Sequence, residues 1–325
     1  MTDTDTTAEP QTLQVYISGG ATNLSRDLTR RLVAAGHGVT VWVATAKQAK
    51  AVREDGGLPV YGATTHPAMV ADNLTIAEAN LVINLAPMNA NIPPYVRPDW
   101  LQVADQLRQE ALTLVEAVNR LQTPPRVIHT SYTFLYADTT DPVGEDAPLR
   151  AGDNPFLAAA LEAEHAIITH TQATVLRVGY LFSEATTDPI RAVEQMLKRS
   201  LTPAYFGKPG AKANWLRTED LVTALFAAAQ AEADGKIYNI VSDTPLSVYD
   251  FIAAFAHKLG LSVPSQLPPA IARTLYSKVY VDLVTASTPA TNTLARAELG
   301  WEPRFADIDA ALDDMLLTWR ATAQA

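Results

Sequence analysis

The chain has 325 residues and carries 35 acidic residues against 25 Lys and Arg, a formal charge of −10. Neither nucleic acid nor an anionic membrane surface is expected as a partner, because both require a basic footprint. Hydrophobic residues make up 48% and charged residues 18%, which excludes a disordered chain and supplies apolar surface for a large core. No apolar run approaches the roughly 18 residues of a membrane-spanning helix. The start, MTDTDTTAEP, has neither the basic nor the apolar segment of a secretion signal. With no cysteine, disulfides, thiolate nucleophiles and Cys-ligated zinc are also excluded. A globular cytoplasmic protein of one large domain or two is expected.

An acidic, Thr-rich tail, expected to be disordered, covers residues 1–10. Beyond it, short β-branched runs alternate with stretches of helical period. The runs are Leu13–Ser18, Val39–Val43, Leu58–Tyr61, Leu81–Leu85, Arg126–Ser131 and Thr174–Val178. The clearest helix carries Trp100, Ala104, Leu107, Ala111, Leu114, Val118 and Leu121 at steps of three and four. Continuous apolar strands each followed by a helix predict a doubly wound parallel sheet in an α/β fold, with ligands beyond the carboxyl ends of the strands. This nucleotide-binding part is expected over residues 11–180. After residue 180 the alternation weakens. Pro203, Pro209 and Gly210 mark a loop-rich stretch, followed by a helix over Glu219–Glu232, a strand over Lys236–Val241, a helix over Val248–Leu259 and a terminal helix over Asp307–Ala321. Residues 181–325 are expected to form a smaller α+β substrate lobe, with some elements returning to the main sheet.

The segment QVYISGGATNLSRDLTRRLVAAGHGVTVWV has the order strand, Gly-containing turn, helix, strand that a Rossmann fingerprint needs. Further landmarks follow: VINLAP at 82–87, RVIHTSYTFLYA at 126–137, NPFLAAALEAE at 154–164 and VLRVGYLF at 175–182. NWLRTEDLVTAL at 214–225, GKIYNIVSDTPLSVYDF at 235–251 and ARAELGWEPR at 295–304 complete the series. On these residues the chain resembles the short-chain dehydrogenase/reductase superfamily, in its extended NAD-dependent epimerase/dehydratase branch. The resemblance covers nearly the whole chain and implies a Rossmann-like fold.

The resemblance also implies where an NAD(P) cofactor lies: Gly19, Thr22, Asn23 and Leu24 at the turn, Lys47 after the second strand, and Ala86 after the fourth. The family's turn reads T-G-x-x-G-x-x-G, whereas here Thr22 and Ser25 replace the second and third glycines. Thr22 is expected to place a Cβ where the backbone approaches the pyrophosphate, weakening the site without abolishing it. The Asp that usually meets the adenine after the third strand is Ala63 here, and the position for ribose or 2′-phosphate recognition offers Lys47. NADP is therefore favoured marginally over NAD, with weak or absent binding expected for either.

The family's chemistry rests on a Ser/Thr ending the fifth strand and on Y-x-x-x-K in the next helix, where the i, i+4 spacing lets the ammonium lower the phenol's pKa. The Tyr and Lys positions are occupied by Phe156 and Ala160. The Ser/Thr position falls on Tyr132, flanked by Ser131 and Thr133, which makes these three the candidate catalytic residues. Tyr132 either supplies an alternative acid or packs over the cleft. Tyr180, Asn214 and Arg217 fall where the family builds its substrate pocket, together with Tyr205, Lys208 and Trp215. His129 reads as a core histidine and Tyr136 as part of a structural turn. Glu162, Glu164, His165 and His170 share one helix without a metal-ligand spacing, so no metal is expected.

The resulting expectation is a protein that keeps the fold but lacks the Tyr/Lys oxidoreductase chemistry, a pseudoenzyme acting as a ligand-sensing, structural or partner-binding protein. The alternative is an active NAD(P)-dependent epimerase, dehydratase or reductase on a nucleotide sugar or related carbonyl compound, with Tyr132 as a non-standard acid. By resemblance, a homodimer would form through the helices at 100–121 and 154–171.

Overall fold

The computed structural model describes residues 12–90, 99–150, 152–185, 187–199, 204–231, 235–263, 265–305 and 307–323. The acidic tail expected over 1–10 lies outside them. The N-terminal half runs β1 (Gln14–Ser18), α1 (Asn23–Ala34), β2 (Gly38–Trp42), α2 (Ala46–Glu54), β3 (Leu58–Val60), α3 (Pro67–Ile76), β4 (Leu81–Asn84), α4 (Trp100–Asn119), β5 (Arg126–Tyr132), α5 (Pro155–His170) and β6 (Ala173–Val178). The C-terminal half runs β7 (Tyr180–Phe182), α6 (Ile190–Arg199), β8 (Trp215–Arg217), α7 (Thr218–Gln230), β9 (Ile237–Ile240), α8 (Val248–Lys258), α9 (Pro269–Tyr276), α10 (Lys278–Thr285), α11 (Thr293–Leu299) and α12 (Ile308–Ala323).

Seven strands form one parallel sheet in the order β3-β2-β1-β4-β5-β6-β9. All four residues of β4 and all six of β6 are buried, as strands covered on both faces must be. Right-handed crossovers on either side of the β1/β4 junction place helices on opposite faces. α3, α4 and α5 pack side by side on one, and α1 packs along α7 on the other. The carboxyl ends of β1 and β4 therefore open a crevice where the strand order reverses.

Local chemistry sets where the helices begin. The Asp99 side chain accepts from Leu101 N and Gln102 N to cap α4, and Asn154 does the same for Phe156 N and Leu157 N at α5. Thr45 and Gln48 form a reciprocal capping box at α2. The last strand of the sheet, β9, comes from the C-terminal half.

The stretch read as loop-rich contains more regular structure than its prolines suggested. It holds α6 and the short parallel pair β7–β8, and the connection after α8 adds α9 and α10. Prolines at helix starts, such as Pro269, initiate as well as interrupt. This lobe centres on Trp215 stacked on Phe251, with ring centroids 3.6 Å apart, and on Phe182 against the edge of Phe251. No helix among the described residues is long and apolar enough to cross a membrane.

Candidate functional site: a cleft at the sheet's switch point

The turn after β1 is built for close approach. Gly19 has φ +96°, and a Cβ there would lie 2.8 Å from Ala86 N and from the Leu85 carbonyl carbon, so only glycine fits between β1 and β4. Thr22 is the N-cap of α1: its hydroxyl accepts from Ser25 N at 3.3 Å. Ser25, 1% exposed, donates its hydroxyl to the Gly20 carbonyl at 2.6 Å and so closes the turn that glycine closes elsewhere in the family pattern. Asn23 donates to Thr187 Oγ1, and Leu24 is a core side chain. The Thr22 hydroxyl is thus committed to its own helix. The first-turn amides of Asn23 and Leu24 have no intrahelical acceptor and, with the positive end of the helix dipole, offer an anion site.

Beside the turn lies a partly open cleft of about 150 Å³. Tyr16, Ser18 and Asn84 contribute from the strands, Trp42, Val70 and Leu114 supply apolar walls, and Thr64, Gln106 and Glu110 add polar groups. Asn84 organises the strand ends. Its Oδ1 accepts from Ser18 Oγ at 2.7 Å and from Ala86 N at 3.1 Å, so its Nδ2 faces His129 Nδ1 at 3.0 Å. With Oδ1 already accepting, Nδ2 donates, and the imidazole must be neutral with its proton on Nε2. Burial agrees, pushing His129 down to about 4.

The wall where the family places its proton donor is aromatic. Phe156 is 1% and Ala160 3% exposed, both on α5. Tyr132 packs with Phe134 and Phe156 at centroid distances of 4.5 and 5.5 Å, and Trp100 meets the edge of Phe156 at 5.4 Å. The Tyr132 hydroxyl donates to the Pro87 carbonyl, and burial pushes its pKa far above the ordinary phenol value. Ser131 donates to Glu164 Oε2 at 2.6 Å, and Glu164 in turn pairs with Arg177 at 2.5 Å in the interior. Arg177 Nη1 also donates to the Tyr136 hydroxyl, which donates to Asn239. Thr133 is buried in a single 3-10 turn. The Tyr132 and Ser131 hydroxyls are both engaged, so neither is presented beside Phe156 in the way the family's acid would be.

On the substrate side, two of the three candidate residues are braces. Asn214 accepts from Ala290 N and donates to the Ser242 and Ala290 carbonyls. Arg217, 3% exposed, is held by Glu184 at 2.8 Å, Asp314 at 3.3 Å and the Ala311 carbonyl at 3.0 Å. Their place in the sequence motif suggested a ligand, but long-range partners from the C-terminal segments occupy them. Tyr180 differs. Its ring lies between Phe134 and Trp215, and its buried hydroxyl has no hydrogen-bond partner among the described residues. Burial raises it to about 12, with the Arg150 charge pulling the other way. Tyr205 is buried and Lys208 exposed. Lys47 stands exposed in the first turn of α2, with no ion pair among the described residues. That position beside a helix N-terminus is unfavourable for a cation with no anion nearby.

Glu110 and Trp42 were not singled out from the sequence. Glu110 did leave a signal, since it lies on the α4 face that carries Leu107, Ala111 and Leu114, where a solvated carboxylate has no reason to be.

The arrangement offers a helix N-terminus that can take an anion and, beside it, a cleft with an indole wall. Ala160, at the position where the resemblance expects a lysine, has no group to hold a ribose. Among the described residues no group of His, Asp or Glu is arranged for a metal ion.

A parallel, doubly wound sheet with a helix N-terminus at its switch point is a Rossmann-like α/β fold. Residues 15–241 match the model of the NAD dependent epimerase/dehydratase family, and the chain belongs to that family. It is 27% identical over 301 residues to the 3-diazoavenalumate denitrifying reductase of a Streptomyces species, covering 90% of this chain and 96% of that protein. Among solved structures, it resembles the Bordetella bronchiseptica enzyme WbmG in complex with NAD and UDP, with a TM-score of 0.73, 16% identity and 96% of each chain covered. It also resembles a human epimerase family protein with NADPH, with a TM-score of 0.71, 18% identity, and 93% of this chain and 98% of that one covered. The UDP-glucose 4-epimerase of Thermotoga maritima, with UDP-glucose, gives 0.73 at 17% identity over 95% and 99%.

Proposed function

We propose that this protein is a cytoplasmic NADPH-dependent reductase that works without the family's phenol and lysine, on an aromatic acceptor that needs no proton from the protein. The observation that carries this is the aromatic wall: Phe156 and Ala160 occupy the positions where the resemblance puts the donor pair, and Tyr132 beside them is buried with its hydroxyl on Pro87. Bound NADPH would supply a hydride. A carbonyl acceptor then needs a proton at oxygen, and neither Phe156 nor the engaged Tyr132 hydroxyl offers one. A diazonium carbon needs none, because R–N2+ and a hydride give R–H and N2, with the departing nitrogen carrying away the bonding pair. The likeness to a denitrifying reductase of a diazo compound supports that acceptor class.

The residues divide the work accordingly. The Asn23 and Leu24 amides take the diphosphate, and Lys47 takes a 2′-phosphate, which is why NADPH is preferred to NADH. Phe134, Phe156 and Tyr180 exclude water and offer rings against which an aromatic substrate can stack. Tyr132 acts by packing.

The competing reading is a protein that binds a dinucleotide or another ligand and never turns it over, and it rests on the same two replacements. The two part in one experiment: NADPH deuterated at the transferred position is mixed with an aryl diazo acid, and the arene is examined by mass spectrometry. One deuterium in the arene, at a rate above the protein-free control and unchanged by Tyr132→Phe, supports the reductase. Dinucleotide binding without deuterium transfer establishes the non-catalytic reading, and a hundredfold fall in Tyr132→Phe returns Tyr132 to the role of acid.

A further inference from the structure

Neither the turn nor the aromatic wall accounts for Glu110. It reaches the cleft from α4, and its Oε1 accepts from Gln106 Nε2 at 3.0 Å and lies 3.4 Å from Thr64 Oγ1. Oε2 has no hydrogen-bond partner, and no Lys, Arg or His pairs with the carboxylate, among the described residues. Burial holds its carboxyl above the usual carboxylate range. Gln106 and Thr64 both meet Oε1, so Oε2 is the acceptor left open to a donor on a group bound in the cleft.

The surroundings restrict what that group is. Trp42 is fixed by its Nε1 donating to the Gly62 carbonyl at 2.8 Å, so the indole is a rigid wall. Val70 and Leu114 add apolar surface, and the cleft runs to Gly19 at the anion-binding turn. The occupant is therefore flat and aromatic, carries an N–H donor at the end that meets Glu110, and is joined to phosphate at the other. The Thr64 contact brings the carboxylate to the loop after β3, where Ala63 has no donor or acceptor in its side chain. We infer that Glu110 accepts a hydrogen bond from the 6-amino group of the adenine, making a helix-borne carboxylate the base-specificity determinant of this cleft. A 6-oxo purine would present an acceptor to the same oxygen and be rejected, since a site built to meet an N–H penalises an analogue without it.

This rests on the reading that the chain binds a dinucleotide, and on no part of the reduction step. Titration calorimetry of the full chain compares NADPH with its hypoxanthine counterpart and with the 1,N6-etheno derivative, for the wild type, Glu110→Gln and Glu110→Ala. The expected result is a wild-type preference for NADPH of at least about tenfold, equivalent to about 1.4 kcal/mol. In Glu110→Ala that preference shrinks to within about threefold, with NADPH weakened to the level of the analogues. Glu110→Gln keeps the bulk and, with an unchanged melting curve, shows that a loss in affinity is not a loss of fold. Equal wild-type binding of all three dinucleotides overturns the inference and leaves the reductase reading standing. Binding of none overturns the reductase reading as well.

Discussion

His129 ties the stability of the cleft to pH, and the size of the effect follows from its contacts. The imidazole is 1% exposed, accepts from Asn84 Nδ2 through Nδ1, and is held down to about 4 by burial against an unfolded value of 6.5, with the Glu164 charge opposing more weakly. Because the folded value is the lower one, the unfolded chain takes up the proton first as pH falls. The stability gained by keeping His129 neutral is complete above the unfolded value and is lost between the two. At about 1.4 kcal/mol per unit, full titration costs about 3 kcal/mol, and the part between pH 7.5 and 5 costs about 2 kcal/mol. The variant to compare is His129→Asn, whose Oδ1 keeps an acceptor facing Asn84 but does not titrate. Urea unfolding of both proteins at the two pH values gives the difference in slope directly, and contributions from other groups cancel. The wild type is expected to lose about 2 kcal/mol more than the variant over this interval. Equal losses would refute the assignment of a neutral, buried His129 and with it the orientation of Asn84 that places Ser18 and Ala86 at the cleft.

Lys47→Ala is expected to weaken NADPH about tenfold and leave NADH unchanged, measured by the same calorimetry; an equal fall for both would remove Lys47 from 2′-phosphate recognition. The homodimer expected through α4 and α5 is tested by Leu112→Glu. Leu101 and Leu112 are 64% and 43% exposed on the outer face of α4, and Arg108 of α4 pairs with Glu162 of α5 at 2.6 Å beside them. Light scattering is expected to show a dimer for the wild type and a monomer for the variant, and a wild-type monomer at micromolar concentration would discard the interface.

Much of the fold was legible in order of residues alone. Strands such as Leu81–Asn84 announce themselves by unbroken apolar character, and α4 by its stripe from Trp100 to Val118, because burial imposes a period on contiguous residues. That Phe156 and Ala160 carry neither a hydroxyl nor an ammonium was equally visible, since the chemistry of a side chain is a property of one position. The small lobe was harder to read. Its helices α9 and α10 are eight residues each, and their starts at proline or serine resemble turns until the neighbouring chain is in place.

The roles of individual side chains at the site depended on partners far away in the chain. Thr22 sits in the motif as an obstruction to phosphate, yet folded it caps α1, while Ser25 closes the turn on Gly20. Arg217 and Asn214 sit at substrate positions in the motif, yet Glu184, Asp314 and the Ala290 backbone engage them across separations of 33, 97 and 76 residues. Glu110 was an unexplained charge on an apolar face until β3 and its following loop brought Thr64 against it, 46 residues away. Local periodicity and chemical identity are written into neighbouring residues, so the sequence by itself determined the family, the strand and helix order of the N-terminal half and the side-chain types at positions 156 and 160. Hydrogen-bond partnership depends on which distant atoms reach a donor or acceptor first, and only the tertiary structure decided which of the remaining polar groups stay open to a ligand.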